Sequence, residues 1–246
     1  MQGYTESSYG DGFADVYDDW YPVISDVAAT TDVLRELAAG GRALELGVGT
    51  GRLAIPLART GVEVHGLDSS ELMLQRMEAK PGGDAVRRHV GDMVDDIPEV
   101  PFALVFAAYN TFFSLLTPER QQACFHQVAR RLVPDGAFVI EAFVPDAQHE
   151  PTSAVAVRSV TVDRVVLSVS SSDPTAQRAE GQYVDITQAG GVRLRPWSIR
   201  WSTPSQLDSM AATAGFRLRA RWESFARDPF SDDSARHVSV FVKEGV

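Results

Sequence analysis

Cysteine is almost absent from this chain. Cys124 is the single one among 246 residues, so no disulfide can form within the chain and no cluster of thiolates can hold a metal. Cys124 falls in a helix-like stretch with Phe125 and Val128, which reads as a buried, inert thiol. That usage fits a reducing, cytoplasmic setting. The histidines, at 65, 89, 126, 149 and 237, include no pair at metal-ligand spacing, and no metal is expected. Positive charge is also short. Lys and Arg total 23 against 33 Asp and Glu, a net charge of −10. Phosphate backbones need a basic groove, so nucleic acid is not an expected partner, and an anionic membrane surface is equally unsuited. No apolar run approaches the length of a membrane span. The opening Met-Gln-Gly-Tyr-Thr-Glu-Ser-Ser has neither the basic start nor the apolar stretch of a secretory signal. Internal repeats and low-complexity tracts are missing too.

What remains is ordinary globular composition, 44% hydrophobic and 23% charged, enough for one α/β domain plus an insertion. The informative stretch is Arg42 to Gly51. Apolar residues 43–46 run into glycines at alternate positions, Gly47, Gly49 and Gly51. A helix-like pattern follows, and then a second strand that ends on Asp68. Glycine permits positive φ and close approach of a ligand to the backbone. An acid at the tip of the second strand can accept the hydroxyl hydrogens of a ribose. The spacing is G-x-G-x-G, not the G-x-G-x-x-G of a dinucleotide site, and Glu45 stands two residues before the first glycine. A carboxylate there repels a pyrophosphate and suits a cofactor with a cationic end.

Along the chain, residues 1–12 are polar and are expected to be mobile. Phe13, Val16, Tyr17, Trp20 and Tyr21 then form a helical stripe, ended by Pro22. A second helix is expected over 26–39. The core repeat follows as strands 42–47, 62–67, 86–90, 102–107 and 137–141, with helices over 51–60, from Ser69 onward, and over 118–132, the last capped by Thr117 ahead of Pro118. Segments 154–162, 164–171, 180–187 and 192–201 read as strands without intervening helices, an antiparallel meander. A last helix over 203–214 leads to strands 216–223 and 237–243. The expected architecture is α/β: a doubly wound, seven-stranded Rossmann-like sheet from 1–150 and 203–246, with an antiparallel β-sheet inserted at 151–202.

Glu-Leu-Gly-Val-Gly-Thr-Gly at 45–51, with Asp68 behind it, resembles the first motif and ribose-binding acid of class I S-adenosylmethionine-dependent methyltransferases. Val90-Gly91-Asp92-Met93 is similar to the turn whose acid meets the adenine amino group and whose apolar side chain packs on the ring. The resemblance implies S-adenosylmethionine as cofactor, contacted by Tyr17, Glu45, Gly47, Gly49, Gly51, Asp68, Ser69, Asp92, Met93 and Ala107. Within the class the arrangement is most similar to nucleotide-sugar N-methyltransferases of deoxysugar pathways. Three features carry that: the tyrosine-bearing N-terminal helix, the stretch Tyr109-Asn110-Thr111-Phe112-Phe113 after strand four, and the inserted sheet. It implies an amine on a nucleotide-linked sugar as acceptor, faced by Tyr21, Tyr109, Asn110, Arg158, Tyr183 and Arg200. Arg158, Arg193, Arg195 and Arg200 are candidates for its diphosphate, because arginine forks suit phosphate oxygens; half-exposed strand positions are their bland alternative. Glu141 is a candidate to orient the amine, or a strand-end acid bonded to backbone. His149 is a candidate base, of value if the acceptor is instead a sugar or polyketide hydroxyl. The resemblance also places dimer contacts on the inserted sheet, so a homodimer stands as an option beside a monomer. A non-catalytic cofactor-binding subunit is the remaining alternative, disfavoured by the intact Glu45, Gly47, Gly49, Gly51, Asp68 and Asp92.

Overall fold

The computed structural model describes residues 1–22, 26–146 and 150–244. In chain order its elements are helices α1 (Ser8–Phe13), α2 (Tyr17–Trp20) and α3 (Val27–Ala38), strand β1 (Ala43–Leu46), α4 (Ala54–Arg59), β2 (Val64–Asp68), α5 (Glu71–Glu78), β3 (Val86–Val90), β4 (Phe102–Ala107), α6 (Pro118–Arg131), β5 (Leu132–Phe143), β6 (Thr152–Val160), β7 (Arg164–Asp173), β8 (Arg178–Thr187), β9 (Val192–Arg200), α7 (Pro204–Thr213), β10 (Phe216–Trp222) and β11 (Arg236–Lys243).

Among the described residues, seven strands form one sheet in the order β10-β11-β5-β4-β1-β2-β3 and four form a second, β6-β7-β8-β9. Pairings from β3 through β5 are parallel, whereas β11 runs antiparallel to both β5 and β10. Helix ends follow the sequence chemistry. Asp26, Ser70, Thr117 and Thr203 each accept a backbone N–H of their helix's first turn, satisfying donors that a helix start leaves orphaned.

Apolar layers cover both faces of the large sheet. One gathers Phe112, Phe125, Phe138, Phe216 and Phe241 with residues of α6 and α7. The other gathers Leu34, Leu57, Leu74, Phe106 and Val238, from α3, α4, α5 and the sheet. A third, smaller cluster holds Phe13, Val16 and Met73, with Tyr9, Tyr17, Trp20, Tyr21 and Tyr183 packed against it. It joins the N-terminal segment to α5 and to the inserted sheet.

The first twenty residues depart from the expected layout. A mobile 1–12 and one helix from Phe13 were the reading of the sequence; instead α1 begins at Ser8, and the chain turns before a single-turn α2. Gly10 lies so close to α5 that a Cβ there would stand 2.3 Å from the Ser70 Cβ. Glycine is a poor helix former, but here its missing side chain lets α1 sit directly on α5.

Candidate functional site

The strand order reverses at β1, whose neighbours are β2 and β4. Ligands in such sheets bind outside the carboxyl ends of the strands at this switch point. A cavity of about 520 Å³ opens there, walled by strand-tip residues Gly47, Gly49, Asp68, Asp92 and Tyr109 and by the N-terminal tyrosines.

Gly47, Gly49 and Gly51 all take positive φ (66°, 55° and 77°), the region that L side chains avoid. At Gly47 a Cβ would also meet the Thr111 side chain at 2.3 Å, whereas the space beside Gly49 is open. The Asp68 carboxylate fixes this loop. Its Oδ2 accepts the Gly49 N–H at 2.8 Å and its Oδ1 accepts the Ser70 N–H at 2.9 Å. Each oxygen keeps a further lone pair, so the group can hold the loop and a diol together. Burial raises the Asp68 pKa, and the two N–H bonds oppose that rise.

Beyond β3, Asp92 Oδ1 accepts the N–H groups of Val94 (2.7 Å) and Asp95 (3.1 Å) and an Arg120 Nη2 donor. Arg120 also reaches Asp95 at 2.7 Å. Met93 lies beside Asp92 on the cavity wall, with Leu67 and Met73. Ser69, also on that wall, donates its hydroxyl to the Glu6 carbonyl at 2.8 Å, tying the N-terminal segment to the β2 tip.

At the exit of β4 two successive non-glycine residues are left-handed, Tyr109 (φ 49°) and Asn110 (φ 67°). Three bonds to β5 hold them. The Tyr109 N–H donates to Glu141 Oε2 at 2.9 Å, the Asn110 N–H donates to the Glu141 carbonyl at 2.9 Å, and Asn110 Oδ1 accepts the Phe143 N–H at 2.8 Å. Strained backbone of this kind persists where its surroundings over-determine it. Burial raises the Glu141 pKa, while the Tyr109 N–H pulls the other way.

The open side carries Tyr4, Tyr9, Tyr17, Tyr21, Tyr109, Tyr183 and Trp197. The Tyr17 and Tyr21 rings lie 5.1 Å apart. Burial pushes the Tyr4 and Tyr17 phenols up to about 12, raises Tyr9 well above its ordinary value and raises Tyr21 too. These hydroxyls stay protonated near neutral pH, and electron-rich ring faces suit a cation.

Of the residues singled out from sequence, the cavity brings together Tyr17, Tyr21, Gly47, Gly49, Asp68, Ser69, Asp92, Met93, Tyr109, Asn110 and Tyr183. Others lie elsewhere. Gly51 shapes the turn from behind, against Met77 and Ile55. Ala107 is buried in the sheet opposite Ile140. Glu45 sits beneath the glycine loop, where its carboxylate takes the Ala54 N–H at the start of α4. Its Oε2 is buried with no partner, and burial lifts its pKa to about 8. Glu141 acts on Tyr109 from behind the cavity wall.

The arginines need correction. Arg200 is 6% exposed and donates to Gln121, Ser202 and Gln177, so it is an internal brace. Arg195, 2% exposed, bonds Asp15, Asp185 and the Gly12 carbonyl. Arg193 pairs with Asp15 at 2.7 Å. Arg158 lies 4.5 to 5.1 Å from the ring centres of Trp20, Tyr21 and Tyr183 and donates to the Trp20 carbonyl. These side chains fasten the N-terminal segment or the inserted sheet itself. His149 lies outside the described residues.

Tyr4, Tyr9, Arg120 and Trp197 went unnoticed in the sequence as wall residues. Tyr9, Phe13 and Tyr17 recur every four residues, a signal that could have extended the aromatic stripe backward. Nothing in the pattern around Arg120 distinguishes it from a solvated helix arginine.

Residues 43–136 match a family profile described as a methyltransferase domain. The CcbJ methyltransferase of Streptomyces caelestis is 37% identical, superposes with a TM-score of 0.90, and is matched over 98% of this chain and 100% of its own. The sugar N-methyltransferase KedS8 of a Streptoalloteichus species has the same fold (TM-score 0.71, 22% identity, 100% of this chain and 99% of that one). An uncharacterized methyltransferase of Bacillus licheniformis is 29% identical over 127 residues, 52% of this chain. The match spans only 55% of that relative's length. The chain belongs to the S-adenosylmethionine-dependent methyltransferases. Their cofactor fits the site as built: a carboxylate with spare lone pairs at the β2 tip, a loop open beside Gly49, and aromatic faces for a cation.

Proposed function

We propose that this protein transfers a methyl group from S-adenosylmethionine to the amine of a small natural-product acceptor, an amino-sugar amine being the first candidate. Asp68 would hold the ribose, with Leu67, Met73, Asp92 and Met93 around the adenine, and Gly47, Gly49 and Tyr17 toward the amino-acid end. When bound, the cofactor supplies an electrophilic methyl on a sulfonium. The chain's part is position and exclusion of water. Tyr109, set rigidly by Glu141, and Tyr21 and Tyr183 face the space in which an acceptor must lie.

One observation carries the choice of an amine. No histidine lines the cavity among the described residues, and burial raises the Tyr4, Tyr9, Tyr17 and Tyr21 phenols further above neutrality. A hydroxyl acceptor needs a base to accept its proton, whereas an amine that has already lost its proton to solvent does not. The test is a pH–rate profile on paired amino and hydroxyl acceptors. An amine-specific enzyme accelerates as pH passes the acceptor's pKa, and His149→Ala leaves that limb in place. Methyl transfer to a hydroxyl that collapses in His149→Ala would establish O-methylation instead.

A homodimer is part of the same reading. Residues paired across an antiparallel sheet share a face. Three successive rungs of the inserted sheet's outer face are Val155-Val169-Gln182-Pro196, Val157-Leu167-Val184-Leu194 and Val160-Val165-Ile186-Val192. None of the twelve is charged, in a protein of net charge −10. Val155, Val157, Val160, Val192 and Leu194 are all more than half exposed. A second copy would cover this face, and Val157→Lys with Leu194→Lys should shift the mass in light scattering from dimer to monomer.

A further inference from the structure

A second cavity, of about 330 Å³, adjoins the cofactor cavity and shares the wall residues Phe143, Trp197 and Ile199 with it. Its other walls are the inner face of the inserted sheet, with Ser170, Ala179 and Trp201, and the chain leaving β5 at Pro145 and Asp146. The Trp197 indole lies flat on the sheet because residue 181 is glycine: a Cβ there would stand 2.8 Å from the ring. The Trp197 Nε1 is buried with no acceptor.

The charge pattern of this space is informative. Among the described residues, Arg120 is the one cation that lines either cavity, and it is bonded to Asp92 and Asp95. Among the described residues, the second cavity's one charged wall residue is Asp146. Of the inserted sheet's six arginines, Arg178 lines neither cavity and the other five are engaged elsewhere. Arg164 and Arg195 bond Asp185, Arg193 and Arg195 bond Asp15, Arg158 stacks on aromatic rings, and Arg200 is buried among amides. A diphosphate would therefore enter a wall of hydroxyls, indoles and a carboxylate, with no guanidinium to replace its lost hydration.

Resting on the reading of the chain as an amine methyltransferase, we propose that the second cavity holds the body of the acceptor, and that this body is a hydroxyl-bearing ring without phosphate. Serine hydroxyls can donate to or accept from ring hydroxyls. The indole of Trp197 offers an apolar floor. The reacting amine then projects past Phe143 toward Tyr109 and the cofactor.

The test is binding, measured by calorimetry on the adenosylhomocysteine-loaded protein. The probes are the methyl glycoside of an amino-deoxyhexose, its thymidine-diphosphate-linked form, and thymidine diphosphate alone. The glycoside is expected to bind at least about tenfold more tightly than the linked form, and thymidine diphosphate should give no heat. Ser170→Phe, which fills the second cavity, should weaken the glycoside by about tenfold or more and leave adenosylhomocysteine affinity as it was. Tighter binding of the linked form, binding of thymidine diphosphate alone, no binding of the glycoside, or an unchanged glycoside affinity in Ser170→Phe would each overturn the proposal. A glycoside that binds as expected but is not methylated when S-adenosylmethionine is supplied would leave the cavity assignment standing and remove the amine-transfer reading.

Discussion

At the scale of single residues, Glu141 shows how a half-buried acid can set the shape of a cavity wall. Its carboxylate takes the Tyr109 N–H and its carbonyl takes the Asn110 N–H, which together fix two left-handed residues at the cavity wall. Glu141→Ala removes one of those acceptors. It is expected to raise the acceptor KM by about tenfold, an effect of roughly 1.4 kcal/mol, and to leave adenosylhomocysteine affinity nearly unchanged. Glu141→Gln retains an acceptor oxygen and should restore most of the loss. If Glu141→Gln is as impaired as Glu141→Ala, the charge and not the hydrogen bond is what matters. Glu141 was legible in the sequence as a strand-end acid, with its bond to backbone one of two readings of equal weight. The glycine turn and Asp68 were legible because positive φ and a strand-tip acid leave sharp marks in sequence. The arginines were misread for a physical reason. Alternation along a strand says which face a side chain takes, and it is silent about whether an aspartate on another element already waits there.

At the scale of elements, the N-terminal segment is the cover of the site and the inserted sheet is its anchor. The clamp is Arg195, held between Asp15 of the cover and Asp185 of β8, with Arg164 completing the network. Removing Arg195 takes hydrogen bonds from both aspartates and from the Gly12 carbonyl, with Arg193 still on Asp15 and Arg164 still on Asp185; hydrogen bonds to charged groups contribute roughly 1.5–3 kcal/mol. Arg195→Met should therefore lower the melting temperature by several degrees, and limited proteolysis should cut first within residues 1–22. Parent-like resistance would show that aromatic packing alone holds the cover. Gly10→Val tests the other contact, since its side chain must push α1 off Ser70 and Met73. It is expected to weaken adenosylhomocysteine binding with little change in the sheet's circular dichroism. The four inserted strands were legible from Gly190-Gly191, from Ser172-Asp173-Pro174 and from their alternation. Helix α1 was not, because Gly10 and Gly12 weaken its propensity and only tertiary contacts explain them, Gly10 against α5 and Gly12 against β9.

For the whole molecule, two buried groups set a pH signature. Burial lowers His237 to about 4, so in the native state it stays neutral where the unfolded chain would take up a proton. Its contribution is present above about 6.5 and is lost as pH falls toward 4. Glu45, raised to about 8, behaves oppositely. The native state keeps a proton that the unfolded chain has released, so stability falls as pH rises from about 4.5 to 8. The two slopes oppose one another between about 4.5 and 6.5, and from 6.5 to 8 the His237 slope has ended while the Glu45 slope continues. One proton is worth about 1.4 kcal/mol per pH unit, or about 2 kcal/mol across that window. At this chain length that is about 4–8 °C in melting temperature. Glu45→Gln should remove the decline, so the variant and parent curves separate between pH 6.5 and 8. Parallel curves would mean that Glu45 is already ionised in the native protein.

The central claim is that the cavity at the strand tips, fixed by Asp68 and the glycine loop, is a site for S-adenosylmethionine. Titration calorimetry with adenosylhomocysteine on the parent and on Asp68→Ala tests it most directly. The account predicts one site per chain in the parent. It also predicts at least about a tenfold loss of affinity in the variant, since hydrogen bonds to a charged acceptor contribute roughly 1.5–3 kcal/mol each. Absence of binding to the parent, or equal affinity in parent and variant, would contradict it.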